Sequence, residues 1–184
     1  MRHQFVVTPE DSLLLIIDVQ QAMLKVIDTW KETTRRINQL SQAANLLQIP
    51  ILVTEQYKKG LGATIAEVTA NLDNAEFFHK EHFSACLEDR FLDTVRRFDR
   101  RQIVIAGMET HVCVLQTGLD LIKSGYQVHL VQNAVGSRYK VDWQTAVNLF
   151  REAGAVITTA EIAIFQWARR ANTDQFRQLL PIVK

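Results

Sequence analysis

The sequence LLLII at residues 13–17 is an unbroken aliphatic run that ends directly at an aspartate. A short run that is apolar at every position is typical of a strand buried on both faces of a parallel sheet. Comparable runs recur along the chain, at 51–54, 76–79, 103–106, 127–131 and 155–158. Stretches of helical periodicity follow them. This alternation predicts an α/β fold in which a parallel sheet of six strands is covered by helices on both faces.

The helical segments complete a three-layer α-β-α arrangement. Thr29 and Glu32 have the spacing of a capping box, and the helix that they begin is blocked at Pro50. Further helical patterns cover 65–72, 87–98, 111–124 and 143–153, and one or two closing helices follow residue 161. Gly125 and Gly154 stand where two of these helices are expected to end.

Length and charge limit the classes of function. The chain of 184 residues has the length of one ordinary domain, so we expect a single domain over residues 1–184. Its 21 basic and 20 acidic side chains give a net charge of +1. A charge this small provides no field that would concentrate nucleic acid or anionic lipid. We therefore expect a small-molecule substrate, with no nucleic-acid partner and no membrane partner.

The cysteine count and the apolar runs indicate a compartment. Two cysteines cannot staple a domain of this size, and the first residues lack the long apolar segment of a secretory signal. The apolar runs also fall well short of the roughly 20 residues that span a bilayer. These features predict a cytoplasmic protein.

Three polar residues stand at the ends of predicted strands. Asp18 ends the first run, Lys80 ends the third, and Cys113 begins the helix after the fourth. Ligands of open parallel sheets bind beyond the carboxyl ends of the strands, so these residues are expected at one edge. A helix start and a nearby ammonium both favour a thiolate, lowering the thiol pKa from about 8.5. Asp18 would accept the thiol proton and return it to a leaving amine.

Each of the three also has an ordinary structural explanation. A carboxylate after a strand often caps the next helix, a single lysine usually solvates a surface, and an isolated cysteine is usually a small core residue. Cys86 has no evident base and is expected to be structural. Spacing alone does not decide between the catalytic and structural interpretations.

Four ordered motifs resemble the isochorismatase-like cysteine hydrolases, particularly the isochorismatase-domain-containing branch. They are DVQ at 18–20, TEQYKKGLG at 54–62, KEHFSA at 80–85 and GMETHVCVLQT at 107–117. The similarity continues through AVGSR at 134–138 and REAGAVITTAEIAIFQW at 151–167. It therefore covers nearly the whole chain.

The resemblance implies a Rossmann-like sheet in the order 3-2-1-4-5-6, with the first and fourth strands adjoining. It implies that Asp18 is the base, Lys80 the catalytic lysine and Cys113 the nucleophile. It also implies a cis peptide bond between Met108 and Glu109, and an oxyanion hole formed by the backbone N–H groups of Glu109 and Cys113. Relatives are commonly oligomeric, so we expect a homo-oligomer.

Three further residues are candidates for substrate contacts. Gln20 lies in the first motif, whereas Tyr57 and Phe83 follow predicted strands. Tyr57 and Phe83 are expected to line the substrate pocket, and packing in the core or at the rim is an equally compatible alternative.

A departure from the family bears on metal binding. The nicotinamidase branch binds a metal through an aspartate and histidines after the second strand, where this chain has Glu55, Gln56 and Tyr57. We therefore expect no catalytic metal and no cofactor. A zinc cluster of His79, His82 and His111 is the less favoured alternative.

These observations lead to three functional hypotheses. The first is a metal-independent cysteine hydrolase that acts on a small amide, carbamate or related C–N substrate through a covalent acyl-enzyme. The second is vinyl-ether hydrolysis of an isochorismate-like compound, which needs Asp18 and Lys80 but no thiol. The third is a non-catalytic oligomeric binding protein of the same fold.

Overall fold

The computed structural model describes residues 2–184 and contains one sheet of six strands, all parallel. The strands are β1 (Ser12–Ile17), β2 (Ile51–Gln56), β3 (Glu76–Lys80), β4 (Gln102–Met108), β5 (Gln127–Gly136) and β6 (Val156–Thr158). Their order is β3-β2-β1-β4-β5-β6, which confirms the predicted order. The direction of winding therefore reverses between β1 and β4.

Eight α-helices surround the sheet, and none in residues 2–184 is long and apolar enough to cross a membrane. They are α1 (Trp30–Leu46), α2 (Lys58–Leu61), α3 (Ala66–Thr69), α4 (Phe91–Arg97), α5 (Leu115–Lys123), α6 (Lys140–Glu152), α7 (Ala160–Ala168) and α8 (Asp174–Val183). Short 3-10 turns cover Gln21–Lys25 and Ala85–Leu87, and a π-helical turn covers Thr110–Val114.

The core is divided into two halves by the sheet, because side chains alternate between its faces. Leu14 and Ile16 of β1 pack with buried residues of α1, α7 and α8. Leu13, Leu15 and Ile17 pack on the opposite face with residues of α4, α5 and α6. Both faces of β1 are therefore sealed, which explains its continuous aliphatic sequence.

Several local predictions need correction. The capping box is absent: the Thr29 side chain makes no cap hydrogen bond, and its backbone (φ −82°, ψ 4°) is outside the extended region that a capping side chain requires. The Glu32 carboxylate binds the guanidinium groups of Arg35 and Arg36 instead. The helix predicted over 65–72 is a single α-turn, and β5 continues past Val131 to Gly136.

Close backbone contact between β1 and β4 requires a glycine at position 107. Gly107 is the register partner of Ile17 and has φ +133°. A Cβ atom placed there would lie 2.1 Å from the Ile17 carbonyl oxygen and 2.6 Å from its nitrogen. Both clashes involve backbone atoms, so neither is relieved by a side-chain rotation.

We expect Gly107→Ala to lower the free energy of unfolding by more than about 3 kcal/mol, because the strands must separate to admit the methyl group. Gly154→Ala is the matched control, since its φ of +94° is also positive but no heavy atom lies within 4 Å of the added Cβ. That control should lose only about 1–2 kcal/mol. Urea denaturation of both variants measures the difference, and equal losses would contradict the steric explanation.

A second prediction concerns His129 in β5. The residue is fully buried, and neither ring nitrogen has a hydrogen-bond partner among residues 2–184. Burial lowers the pKa of His129 from 6.5 to about 4. Between pH 6.5 and pH 4, the His129 ring is protonated in the unfolded state but not in the folded state. The free energy of unfolding therefore decreases as the pH falls from 6.5 towards 4. We expect a loss of about 3 kcal/mol across that window.

The control for this prediction is His129→Leu, which removes the titrating ring. Denaturation series in both proteins between pH 7 and pH 4 give the difference in slope. A His129→Leu protein that lost as much stability as the unmodified chain over this window would show that His129 is not responsible.

Candidate active site

The ends of β1, β3 and β4 bring three predicted residues together. Asp18 follows β1, Lys80 is the last residue of β3, and Cys113 lies in the π-helical turn after β4. The Lys80 Nζ atom is 2.7 Å from Asp18 Oδ2, and both side chains are completely shielded from solvent. Cys113 is 4% exposed. The structure therefore encloses a carboxylate, an ammonium and a thiol at one edge of the sheet.

Lys80 is held by oxygen atoms on several sides. Besides Asp18, its Nζ donates to Gln56 Oε1 at 2.5 Å and to the carbonyl oxygens of His82 and Phe83 at 3.2 and 3.3 Å. An ammonium group has three N–H donors and no hydrogen-bond acceptor, so the surrounding oxygen atoms match its hydrogen-bonding capacity. A charge buried in this way is stable because it is both paired and hydrogen-bonded.

Asp18 is fixed by its backbone as well as by its side chain. It has φ +51°, a left-handed conformation that aspartate tolerates better than most residues. Its N–H donates to the Thr54 carbonyl at 3.1 Å, and Thr54 Oγ1 donates to Asp18 Oδ1 at 2.7 Å. These bonds leave Oδ2 facing Lys80.

The pKa of the Cys113 thiol is shifted in the direction opposite to the expectation, which was that the helix start and the lysine would favour a thiolate. Burial, followed by the Asp18 charge, raises the pKa of Cys113 to about 12, and Lys80 acts in the opposite direction. The lysine is already neutralised by the adjacent carboxylate, so its effect on the sulfur is small beside desolvation. The resting site therefore contains a neutral thiol at physiological pH.

Gln56 belongs to the same cluster, although the sequence analysis assigned it no role. It is the last residue of β2, the strand between β1 and β3, and is 7% exposed. Its Oε1 accepts from Lys80, and Cys113 Sγ lies 3.8 Å from the same oxygen. The sequence pattern did not single out Gln56, because the apolar run that predicts β2 ends at Thr54 and the strand extends two residues further in the structure.

Gln20, expected to contact substrate, serves the scaffold instead. The residue is fully buried, and its Nε2 donates to the carbonyl oxygens of Gln56 and Gly62 at 2.9 and 2.6 Å. Its Oε1 accepts from the Gln56 N–H at 2.8 Å. Since backbone groups occupy both ends of the amide, Gln20 ties the end of β1 to β2 and is a positioning residue.

Tyr57 and Phe83 flank Lys80 through their backbones and expose their rings. The Tyr57 N–H donates to the Lys80 carbonyl at 2.8 Å, while the Phe83 carbonyl accepts from Lys80 Nζ. The two residues are 54% and 56% exposed. Both residues therefore lie largely at the surface, which excludes the alternative of core packing.

The turn that carries Cys113 begins at an anchored glutamate. The peptide bond between Met108 and Glu109 is cis, and Arg138 Nε donates to the Glu109 carboxylate at 2.8 Å. The Glu109 carbonyl accepts from the N–H groups of Val112 and Val114, which lie on either side of Cys113.

A cavity of about 460 Å³ adjoins this turn at the carboxyl end of β5. Its wall includes Ser137 and Arg138, which contact the side chains of His111 and Glu109. Asp18, Lys80 and Cys113 are not part of its lining. The cavity is therefore connected to the chemical cluster only indirectly, through the contacts that Ser137 and Arg138 make with His111 and Glu109.

The three histidines considered for a zinc site have separate partners. His79 lies 3.3 Å from Glu55, His82 lies 2.9 Å from Glu88, and His111 Nδ1 lies 3.0 Å from Ser137 Oγ. Within residues 2–184, no three His, Cys, Asp or Glu side chains form a group suited to a metal ion.

Comparisons with known proteins match nearly the whole chain. The isochorismatase domain model covers residues 12–162. The secreted isochorismatase effector Isc1 of Phytophthora sojae is 37% identical over 96% of this chain and 86% of its own length. Isochorismatase domain-containing protein 2 of Xenopus laevis is 34% identical over 94% and 83%. The solved structure of MAR1 ribonuclease from Caenorhabditis elegans is 34% identical, covers 97% and 92%, and has a TM-score of 0.90.

The raised pKa of the Cys113 thiol is directly measurable. In a Cys86→Ser background, we expect the ultraviolet absorbance of the Cys113 thiolate to appear only well above the ordinary value of 9.0. Asp18→Asn should lower this pKa, because the variant removes a negative charge while keeping the shape of the side chain. Lys80→Met should raise it further.

Circular dichroism of each variant is the control, since breaking a buried ion pair costs about 3–5 kcal/mol of stability. A transition below 9.0 in the folded unmodified chain would contradict the assignment of a neutral thiol.

Proposed function

This chain belongs to the isochorismatase family, and from that premise we propose that it is a cysteine hydrolase of a small amide, carbamate or related C–N substrate. One observation carries the proposal. A thiol lies at a fully buried Asp18–Lys80 ion pair, so a nucleophile, a proton acceptor and a fixed positive charge share one enclosed site.

The first step follows from the neutral state of the thiol. Asp18 removes the Cys113 proton as Sγ forms a bond to the substrate carbonyl carbon, and the carbonyl oxygen takes up the electron pair. Proton transfer during attack avoids a free thiolate, which burial disfavours. Asp18 then delivers the proton to the nitrogen, the C–N bond breaks, and the amine leaves behind an acyl-enzyme.

The second step repeats the same proton transfer with water. Asp18 takes a proton from the attacking water, the water oxygen bonds to the acyl carbon, and the C–S bond breaks. The proton returns to the sulfur and restores the neutral thiol. The overall reaction consumes one water molecule and needs no cofactor or metal ion.

Lys80 has an electrostatic role in both steps. Its ammonium lies 2.7 Å from Asp18 and is held by carbonyl oxygens of the chain, so a fixed positive charge faces the carboxylate during each proton transfer. Negative charge on the carbonyl oxygen is stabilised by the N–H groups of Glu109 and Cys113. The bond from Arg138 to the Glu109 side chain supports the start of this turn.

Two other activities compete with this proposal. The Caenorhabditis elegans relative is named a ribonuclease, but a site whose acid and lysine are fully shielded favours a small substrate over a polynucleotide. Vinyl-ether hydrolysis would use Asp18 and Lys80 and leave the thiol idle. The placement of Cys113 against both groups favours the covalent route.

The exposed apolar side chains near the site support a homo-oligomer. Phe83, Leu87, Tyr139 and Val141 are 56–67% exposed and lie on segments that adjoin the site. Covering them with a second copy would remove apolar surface from water. The cytoplasmic compartment stays a prediction, since the Phytophthora sojae relative is named as secreted.

The proposal predicts a specific pattern among three variants. With a panel of small primary amides and carbamates, we expect Cys113→Ala to abolish turnover, and Asp18→Asn and Lys80→Met each to reduce kcat by more than about 100-fold. Mass spectrometry of the quenched reaction should find the acyl adduct on Cys113. Cys86→Ser is the matched control and should retain turnover, because Cys86 Sγ contacts the Thr117 carbonyl and not the ion pair.

Other outcomes identify the competing activities. Full turnover by Cys113→Ala would exclude covalent catalysis, and isochorismate consumption lost only in Asp18→Asn and Lys80→Met would establish the vinyl-ether reaction. Cleavage of a labelled RNA oligonucleotide that depends on the same residues would establish a ribonuclease.

A further inference from the structure

The orientation of the Gln56 side chain is determined by its hydrogen bonds. Nε2 donates to the Glu81 carbonyl at 2.6 Å, and Oε1 accepts from Lys80 Nζ at 2.5 Å. The backbone N–H of Gln56 donates to Gln20 Oε1. Exchanging the amide oxygen and nitrogen would place a donor against the ammonium and an acceptor against a carbonyl. Gln56 therefore presents an acceptor, and not a donor, to the nucleophile.

The Gln56 Oε1 atom loses one of its hydrogen-bond donors during the proposed reaction. In the resting site, Cys113 Sγ is 3.8 Å from Gln56 Oε1, within the distance at which a thiol donates weakly to oxygen. A carbonyl oxygen has two lone pairs, and Lys80 uses one of them. When the thiol proton passes to Asp18, the second lone pair of Oε1 becomes free while the substrate is bonded to the sulfur.

The freed acceptor lies close to the leaving group of the substrate. The scissile nitrogen is bonded to the same carbon that the sulfur attacks, so it occupies the immediate neighbourhood of Sγ. An oxygen 3.8 Å from Sγ is within hydrogen-bonding reach, about 2.9 Å, of a nitrogen placed there. Gln56 Oε1 can therefore accept an N–H bond from that nitrogen without moving.

From this geometry, and resting on the proposed function, we infer that the substrate carries at least one N–H on its scissile nitrogen and that Gln56 selects for it. The class is a primary or monosubstituted amide or carbamoyl group. Tertiary amides, esters and enol ethers have no hydrogen to give to Gln56. In the tetrahedral intermediate, an N–H directed at Oε1 also leaves the nitrogen lone pair free to take the proton from Asp18.

The selection is moderate in size. A substrate without an N–H forfeits one hydrogen bond, but Gln56 Oε1 keeps its bond to Lys80 and is not left unpaired. A hydrogen bond of this kind corresponds to about a 10-fold to 100-fold change in rate.

The test uses carbamoylation of Cys113 in the Cys86→Ser background, so that no natural substrate is needed. The probes are 4-nitrophenyl carbamate, its N-methyl and N,N-dimethyl derivatives, and methyl 4-nitrophenyl carbonate, in which the attacked carbonyl carbon carries NH2, NHCH3, N(CH3)2 or OCH3. Release of 4-nitrophenolate gives each rate, which is divided by the rate of the same probe with glutathione to remove intrinsic reactivity. We expect the first two probes to react similarly, and the dimethyl carbamate and the carbonate to react about tenfold more slowly or worse.

Variants separate hydrogen bonding from steric exclusion. Gln56→Met keeps an unbranched side chain of similar length without an acceptor, so the difference between N-methyl and N,N-dimethyl probes should disappear. Gln42→Met is the matched control, because Gln42 lies on α1 and donates to Asn71. It should behave as the unmodified chain, and near-ultraviolet circular dichroism confirms that each variant is folded.

Two results would overturn the inference. The first is an equal normalised rate for probes with and without an N–H in the chain that keeps Gln56. This result does not depend on the folding of a Gln56 variant. The other is a dimethyl penalty that persists in folded Gln56→Met, because it would then be steric. Failure of the proposed function is a separate result: no amide would be hydrolysed, while Cys113 would still be carbamoylated at a rate that depends on the N–H.

Discussion

The ion pair between Asp18 and Lys80 is the interaction around which the candidate site is organised. Both side chains are removed from water, and such a pair is stable only if the remaining donors and acceptors are also satisfied. Thr54, Gln56 and two backbone carbonyls supply those partners. Residues at the ends of three strands thus surround one buried charge pair. Burying two charges carries a desolvation penalty that a purely structural core would not need.

The sheet topology makes this arrangement possible. Because β1 and β4 adjoin where the winding reverses, the segment after each strand turns to a different face and leaves a crevice between them. Asp18 enters the crevice from β1, and the π-helical turn after β4 brings Cys113 to it. Gly107 permits the close approach of the two strands next to Asp18. The same close packing shields the site and raises the pKa of the thiol.

Gln56 links the ion pair to the proposed chemistry. Its amide oxygen contacts both the ammonium and the sulfur, and its orientation is determined by Glu81 on the far side. A neutral acceptor at this position adds no second negative charge, which would raise the thiol pKa further. In the proposed mechanism, Asp18 would thus be the proton acceptor for the nucleophile and Gln56 the hydrogen-bond acceptor for the leaving group.

The sequence by itself determined the α/β class and the positions of the six strands, although β2, β4 and β5 extend beyond the predicted runs. Hydrophobic runs and their spacing are local properties, and they are legible without coordinates. The family resemblance added the strand order, and it agreed with the three candidate catalytic residues that the strand ends had already indicated. Short local motifs predicted the structure less well. Thr29 and Glu32 have the spacing of a capping box, but the backbone dihedral angles of Thr29 do not permit one.

Only the tertiary structure decided the state of the thiol, the burial of Gln20 and the place of Gln56. Each depends on which groups from distant strands share a desolvated volume, and no spacing along the chain reports that. A lysine near a cysteine indicates a lowered pKa when the lysine is unpaired. Here the lysine is neutralised by Asp18 and the sulfur is buried, so desolvation is the larger effect and reverses the expected direction.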